Sequence, residues 1–227
     1  MKIAGIIHAR GTNTRTRNKN LYRINGKSLV RLACEKLLKC ETIGGKYLNT
    51  EDDGVILECE DLESHGLQII HRPPELAADY VTGNDLMAFA LHSIEYCDVI
   101  CELGAHAPLL SAETIDACIS QFIENTNRFD SFLTVEKLHE HMWGASKPKN
   151  YELKHLPTKY ELPPMLRETH GLYGIKTGEF LRAKSRTGKS PLLYELGRRE
   201  AMDIHTWEDF QISRALLLEQ RVQERTS

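Results

Sequence analysis

The stretch "KIAGIIHARGTNTRTRNKN", residues 2–20, sets an apolar run directly against a cationic loop. "KIAGIIH" is short and ends in turn-forming residues, so it reads as a buried strand. From Ile6 to Ser28 there are six Lys or Arg, seven basic residues with His8, and no acidic one, and the first 34 residues hold eight Lys or Arg with no Asp or Glu. In an open parallel sheet, ligands bind outside the C-terminal ends of the strands, which is where this loop begins. Arg10, Arg15 and Lys19 can neutralise a polyanion, Gly11 lets backbone approach a ligand, and Asn13 and Asn20 offer amide hydrogen bonds. A triphosphate is the economical explanation. Arg17, Arg23 and Arg31 have no spacing that aims them at one point, and a solvated loop accounts for them equally well. The Walker A pattern G-x-x-x-x-G-K-[ST] is absent.

Outward from this loop, strand and helix patterns alternate. "GKSLVRLACEKLLK" places Leu29, Leu32, Ala33 and Leu37 at helical spacing, with Ser28 as N-cap. "KYLNT" (46–50) is a second strand, "DDGVILECEDLESHG" a helix closing on Gly66, and "LQIIH" (67–71) a third strand. A helix from about Asn84, the strand "DVICELG", a helix opening on Ser111 and the strand "DSFLTV" (130–135) follow. Such alternation predicts right-handed crossovers and a mostly parallel α/β sheet. After Val135 the periodicity fades. Residues 136–169 hold four of the eight prolines and read as a protruding arm inserted into one domain spanning 1–227. "HGLYGIKT" and "AMDIHT" are read as further strands. "TWEDFQISRALLLEQRVQER" closes the chain as a helix, with Thr206 and Asp209 in capping-box register.

The 227 residues are 41% apolar and carry a net charge of −3, enough for one sizeable core and against a general nucleic-acid or membrane-surface protein. The basic loop lacks interleaved aromatics apart from Tyr22, which also weighs against nucleic acid. No apolar run approaches the roughly 18 residues of a membrane helix, and the N-terminus has no signal-peptide pattern, so a cytoplasmic protein is expected. Six cysteines form no C-x-x-C pair and read as buried thiols in a reducing compartment.

"IIHARGTNTRTRNKN" resembles the N-terminal signature of the acylneuraminate cytidylyltransferases, I-P-A-R-G-G-S-x-R-x-x-x-K-N. Ile7, Ala9, Arg10, Gly11, Arg15, Lys19 and Asn20 match, with His8 in place of proline and Thr12 in place of the second glycine. "HRPPELAADY", "APLLSAETIDACI" and "AMDIHTWEDFQISRALL" resemble later segments of the same family. The resemblance implies a Rossmann-like sheet of nucleotide-diphospho-sugar transferase type with helices on both faces and a dimerisation arm carrying Trp143. It also implies transfer of CMP from CTP to an acidic sugar, with pyrophosphate released. By the same resemblance Arg10 and Lys19 serve the phosphates, and Ala9, Gly11, Asn20, Arg72 and the Gly83–Asn84 turn hold the nucleotide. Arg72 could instead pair with Glu75 or cap the turn after it. A divalent ion, Mg²⁺ or Mn²⁺, is expected at the family's D-I-D-T segment.

Here that segment reads "MDIHT". Asp203 remains and His205 stands where the second carboxylate would be, as a metal ligand, a phosphate contact, a base or a residue with no role. The family's acceptor segment Q-P-T-S-P-L-R reads "GAHAPLL": Gly104 replaces the glutamine, Leu110 replaces the arginine, and His106 is new. "ETHGLYG" places His170 near the acceptor side, partway toward the related 3-deoxy-manno-octulosonate cytidylyltransferases. An acidic acceptor other than ordinary N-acetylneuraminate follows, with His106, His170 and His205 possible neighbours in one cleft. The competing expectation is a nucleotide-binding relative that has lost turnover and serves as a binding or regulatory module.

Overall fold

The computed structural model describes residues 1–11 and 18–226. The first apolar run is a strand, β1 (Ile3–His8). The basic loop ends in a single 3-10 turn and a small hairpin of β2 (Arg23–Ile24) and β3 (Lys27–Ser28). Then come α1 (Leu29–Lys39), β4 (Gly45–Thr50), α2 (Asp53–Leu57), β5 (Gln68–His71), α3 (Gly83–Ser93), β6 (Val99–Leu103) and α4 (Ala112–Glu124). The chain closes with β7 (Ser131–Leu138), β8 (Met165–Lys176), α5 (Thr177–Ala183), β9 (Pro191–Leu196) and α6 (Trp207–Thr226). Local chemistry sets the helix starts. Ser28 Oγ accepts from Arg31 N, Ser111 Oγ accepts from Thr114 N, and Thr82 with Asp85 forms a full capping box. Each such cap contributes about 1 kcal/mol.

Seven strands form one sheet in the order β5-β4-β1-β6-β8-β7-β9. β1 is central and parallel to both β4 and β6; β8 runs antiparallel to β6 and β7, and β9 is parallel to β7. The sheet is therefore mostly parallel, as the alternation predicts. Side chains alternate across it. Ile3 and Ile7 pack with Ala33, Leu37, Ile115 and Phe122 on one face, while Ala4 and Ile6 pack with Met87, Ala90 and Phe180 on the other. Helices thus cover both faces, and the C-terminal ends of β1, β4 and β6 share one edge. All six cysteines are buried and unbridged.

Several expectations are corrected. The helix read over "DDGVILECEDLESHG" stops at Leu57 and continues as a 3-10 segment, Glu60–His65, before the left-handed Gly66. β7 runs to Leu138 and β8 starts at Met165, so both strands extend into the segment read as an arm. Between them, buried Asn150 ties the connection together, accepting from Met142 N and donating to the carbonyls of Glu140 and Pro163. "AMDIHT" is not a strand. Ile204 is buried with Ile24, Leu29 and Phe210, and the amides of His205 and Thr206 donate to the Asp209 carboxylate that caps α6. With those N–H groups satisfied locally and the Ile204 amide given singly to His106 O, no strand ladder forms. The edge position belongs instead to "PLLYEL", β9, whose leading proline suits an edge strand. Helix α5 and strand β9 had no counterpart in the sequence reading.

Candidate active site

At the C-terminal ends of β1, β4 and β6 lies a cavity of about 260 Å³ lined by His8, Arg10, Lys19, Asn20, Arg72, Gly83, Glu102, His106 and Arg186 among others. Of the residues singled out in the sequence, this cavity brings together Arg10, Lys19, Asn20, Arg72, Gly83 and His106. Asn13, Arg15 and Arg17 lie outside the described residues.

The predicted residues divide into those at the opening and those that brace it. Arg10 pairs with Asp79 at 3.1 Å, and Lys19 Nζ donates to Ile204 O at 2.8 Å. Asn20 donates to Arg10 O at 2.9 Å and so fixes the loop backbone. Arg72 is deeply buried. It pairs with Glu51 at 2.6 Å, rather than with Glu75, and donates to the carbonyls of Asn49 and Ala9. Burial lowers its pKa and Glu51 works against that shift. Arg72 is thus a strut joining the ends of β1 and β4, with the buried Ala9 one of its anchor points. Gly11 is required, but for a different reason than expected: a Cβ there would sit 1.8 Å from the Asp52 carboxylate, and Gly11 N donates to Glu51. Gly83 likewise makes room for Arg186, whose Nη1 would lie 2.6 Å from an added Cβ, while Asn84 Oδ1 accepts from Arg186 N. Of the undecided arginines, Arg23 pairs with Glu58 and Arg31 with Asp61 and Glu35, so both serve the scaffold.

The three histidines do converge. His106 and His205 have ring centroids 6.1 Å apart, and His170 and His205 6.3 Å. Gly104 explains how. A Cβ at that position would meet His170 O at 2.6 Å and the His106 ring at 2.8 Å. The glycine that replaces a glutamine is therefore what lets these residues close on each other. Leu110, which replaces an arginine, is buried in the core and packs toward Gly171, so that position belongs to the scaffold. Burial, with Lys19 and the other histidines adding to it, pushes His106 down to about 3.

His170 sits in a β-bulge where β8 has extra residues opposite Leu133–Val135 of β7. Its φ of 52° is the left-handed region, uncommon for a side chain of this size. Tyr173 Oη donates to Glu168 Oε2 at 2.7 Å, a carboxylate that can only accept, so His170 Nδ1 donates to Tyr173 Oη at 2.7 Å. In a neutral ring Nε2 is then the lone-pair nitrogen. Burial and Glu168 raise the Tyr173 pKa, which keeps the phenol protonated.

Asp203 and His205 flank the buried Ile204, whose amide donates to His106 O at 2.8 Å and whose carbonyl receives Lys19. One buried residue between two polar ones thus holds Asp203 and His205 beside Lys19. Asp203 Oδ1 is 3.4 Å from Arg167. Asp203 Oδ2 is buried with no hydrogen bond among the described residues and lies 2.6 Å from His205 Nε2, an ion-pair distance without hydrogen-bond alignment. Two donor atoms side by side, one of them an unsatisfied carboxylate oxygen, fit two positions on a divalent ion. No group of three His, Cys, Asp or Glu among the described residues could hold a metal, so the remaining positions would fall to phosphate and water.

Beyond Asp203 and His205 opens a second cavity of about 740 Å³, with Lys137, Lys159, Arg167 and Arg198 facing Glu136, Glu140 and Asp209. Lys159 pairs with Glu140 and Arg167 with Glu136, whereas Arg198 makes no ion pair among the described residues. His205 lines this cavity and His106 the first, so the histidine cluster divides them. Glu102, Arg186, Arg167 and Arg198 were all missed in the sequence. Only Glu102 left a signal, as a lone acid within an apolar strand.

Residues 4–155, more than half of the chain, match the cytidylyltransferase family profile. The chain is 26% identical over 125 residues to a 3-deoxy-manno-octulosonate cytidylyltransferase of Bdellovibrio bacteriovorus, covering 55% of this chain and 47% of that one. It is 22% identical over 216 residues to an N-acylneuraminate cytidylyltransferase of Streptococcus agalactiae, covering 92% of this chain and 52% of that one. It thus spans about half the length of the curated relatives it matches. A CMP:2-keto-3-deoxy-manno-octonic acid synthetase solved with CTP shares the fold at TM-score 0.71 and 14% identity, covering 97% of this chain and 100% of that one. Among the described residues no helix is long and apolar enough to cross a membrane. The matched segment contains the basic loop, the strand ends that carry the first cavity and the Gly104–His106 turn, and on it the chain belongs to the cytidylyltransferase family.

Proposed function

We propose that this chain is a CTP-dependent nucleotidyltransferase that moves CMP to the hydroxyl of a small acidic acceptor, an acidic sugar in the first instance, and releases pyrophosphate. The observation that carries this reading is a pair of neighbouring cavities, one opening on Arg10 and Lys19, the other lined by Asp203, His205 and Arg198, with Lys19 reaching Ile204 O between them. CTP occupies the first and the acceptor the second. The acceptor oxygen bonds to the α-phosphorus as the bond to the pyrophosphate oxygen breaks. The hydroxyl proton passes to His170 Nε2, which Tyr173 and Glu168 hold in the required tautomer. Lys19 and Arg10 stabilise charge building on the phosphates, Arg10 exchanging Asp79 for phosphate oxygen. Asp203 and His205 would hold Mg²⁺ or Mn²⁺, which when bound supplies charge neutralisation on the phosphates; the imidazole favours Mn²⁺. A homodimer is part of the reading, because Trp143 (56% exposed) and Tyr160 (97% exposed) give the arm an apolar surface suited to a second copy.

A second reading, a nucleotide-binding relative without turnover, is favoured by the direct Asp203–His205 contact where the family has two carboxylates. Pyrophosphate release, measured with CTP, either metal and a panel of acidic 2-keto sugars, decides between them. Release with at least one acceptor supports the transferase. Tight CTP binding with no release for any acceptor or metal supports the binding module.

A further inference from the structure

His8 stands where the resembled family has proline. It closes β1, lines the 260 Å³ cavity and is surrounded by Glu102, Arg72 and Arg186. Asn49 Nδ2 lies 3.1 Å from His8 Nδ1. An amide NH₂ can only donate, so Nδ1 accepts and the ring proton sits on Nε2. Nε2 is buried with no hydrogen-bond partner among the described residues. A buried donor without an acceptor destabilises a fold, and natural proteins rarely keep one that nothing uses. With Nδ1 turned to the neighbouring strand, Nε2 is the ring nitrogen that no described protein group engages, on a residue that lines the cavity.

The charges around it indicate what part of a ligand belongs there. Arg72 is held by Glu51, and Arg186 donates to Glu102 Oε2 at 2.8 Å while its guanidinium carbon lies 3.9 Å over the Tyr173 ring. The inner part of the cavity is therefore charge-balanced. Burial lowers His8 to about 4, with Arg72 and Arg186 adding to the shift against the pull of Glu102, so the imidazole is neutral near pH 7. A neutral donor beside paired charges suits an uncharged heterocycle. Polyphosphate suits the opening, where Arg10 and Lys19 stand.

Resting on the nucleotide reading above, we propose that His8 and Glu102 recognise the nucleobase of the bound triphosphate: His8 Nε2–H donates to a ring acceptor, and the Glu102 carboxylate accepts from an exocyclic amine. A pyrimidine with an amino group satisfies both. One with an oxo group in the amine's place sets oxygen against carboxylate, so cytosine is chosen over uracil. The selecting element is repulsive as well as attractive.

The test is calorimetric titration of wild type, His8→Phe and Glu102→Gln with CTP, UTP and inorganic tripolyphosphate. His8→Phe is expected to weaken CTP about tenfold or more and leave tripolyphosphate unchanged. Glu102→Gln is expected to bring the CTP-to-UTP affinity ratio toward one. Equal loss of CTP and tripolyphosphate in His8→Phe would show a merely structural residue and overturn the proposal. So would unchanged CTP affinity in that variant, or an unchanged ratio in Glu102→Gln. Failure of wild type to bind any nucleoside triphosphate would instead remove the transferase reading itself. Should His8→Phe not fold, ¹⁵N imidazole spectra of the wild type decide: the expected result is an Nε2–H tautomer whose Nε2 signal moves on adding CTP, and an Nδ1–H tautomer or an unmoved signal overturns the assignment.

Discussion

The two cavities are built in opposite ways. The first lies where parallel strands end, and its side chains are braced by one another: Arg72 by Glu51, Arg186 by Glu102, Asn20 by the Arg10 carbonyl. The second lies against the bulged end of β8 and the irregular segment before α6, is nearly three times as large, and keeps Arg198 without an ion pair among the described residues. The difference teaches a division of labour. On the proposed function, a braced, close-fitting space suits the one nucleotide that transfer would need each time. A roomier space formed by loops can change acceptor without disturbing the sheet.

The comparison breaks most visibly at the lysine that stands beside both cavities. Lys19→Met is expected to cut the rate of pyrophosphate release by about 10²–10³, the cost of removing one donor from a site of charge development. A loss under threefold would mean that the Ile204 carbonyl, not phosphate, is what Lys19 is for. The first cavity is also expected to be the acid-sensitive one. His8 falls from an ordinary value of 6.5 to about 4 in the folded chain. Between those values the unfolded chain binds the extra proton, so its contribution is fully present above pH 6.5 and is lost as pH falls toward 4, about 3 kcal/mol in all. Denaturant melts across this window should show wild type losing stability faster than His8→Phe; parallel curves would contradict the buried neutral imidazole.

Gly104→Ala addresses the partition between the cavities. Its Cβ has no room beside the His170 carbonyl, and overpacking of this kind costs about 1–3 kcal/mol. A variant of unchanged Tm would show that the histidines are not held as described. The smallest effect is expected in the second cavity. Arg198→Ala should raise the acceptor KM about tenfold, with CTP KM unchanged, if its guanidinium meets the acceptor's carboxylate. A rise in CTP KM instead would merge the two cavities into one site.

The same contrast decides what could be read from the sequence. The parallel half was legible because buried strands and amphipathic helices carry a period and their caps carry fixed spacings, as at Ser28, Ser111 and Thr206. Arg10, Lys19 and Asn20 were legible because a loop leaving a central strand has few places to go. The second half was not. β9 begins with proline and alternates weakly, and "AMDIHT" looks like a strand until Asp209 and the Ile204 cluster claim its backbone. Arg72 was found as a residue but not as a strut, because its partner Glu51 lies on a different strand end. Glu102 and Arg186 meet across 84 positions of sequence, a pairing no local pattern announces.

The most direct measurement is titration of the intact chain with CTP in the presence of Mn²⁺ or Mg²⁺. The account expects saturable binding at one site per chain, weakened in Lys19→Met. Absence of binding to CTP, UTP, ATP and GTP alike would contradict it.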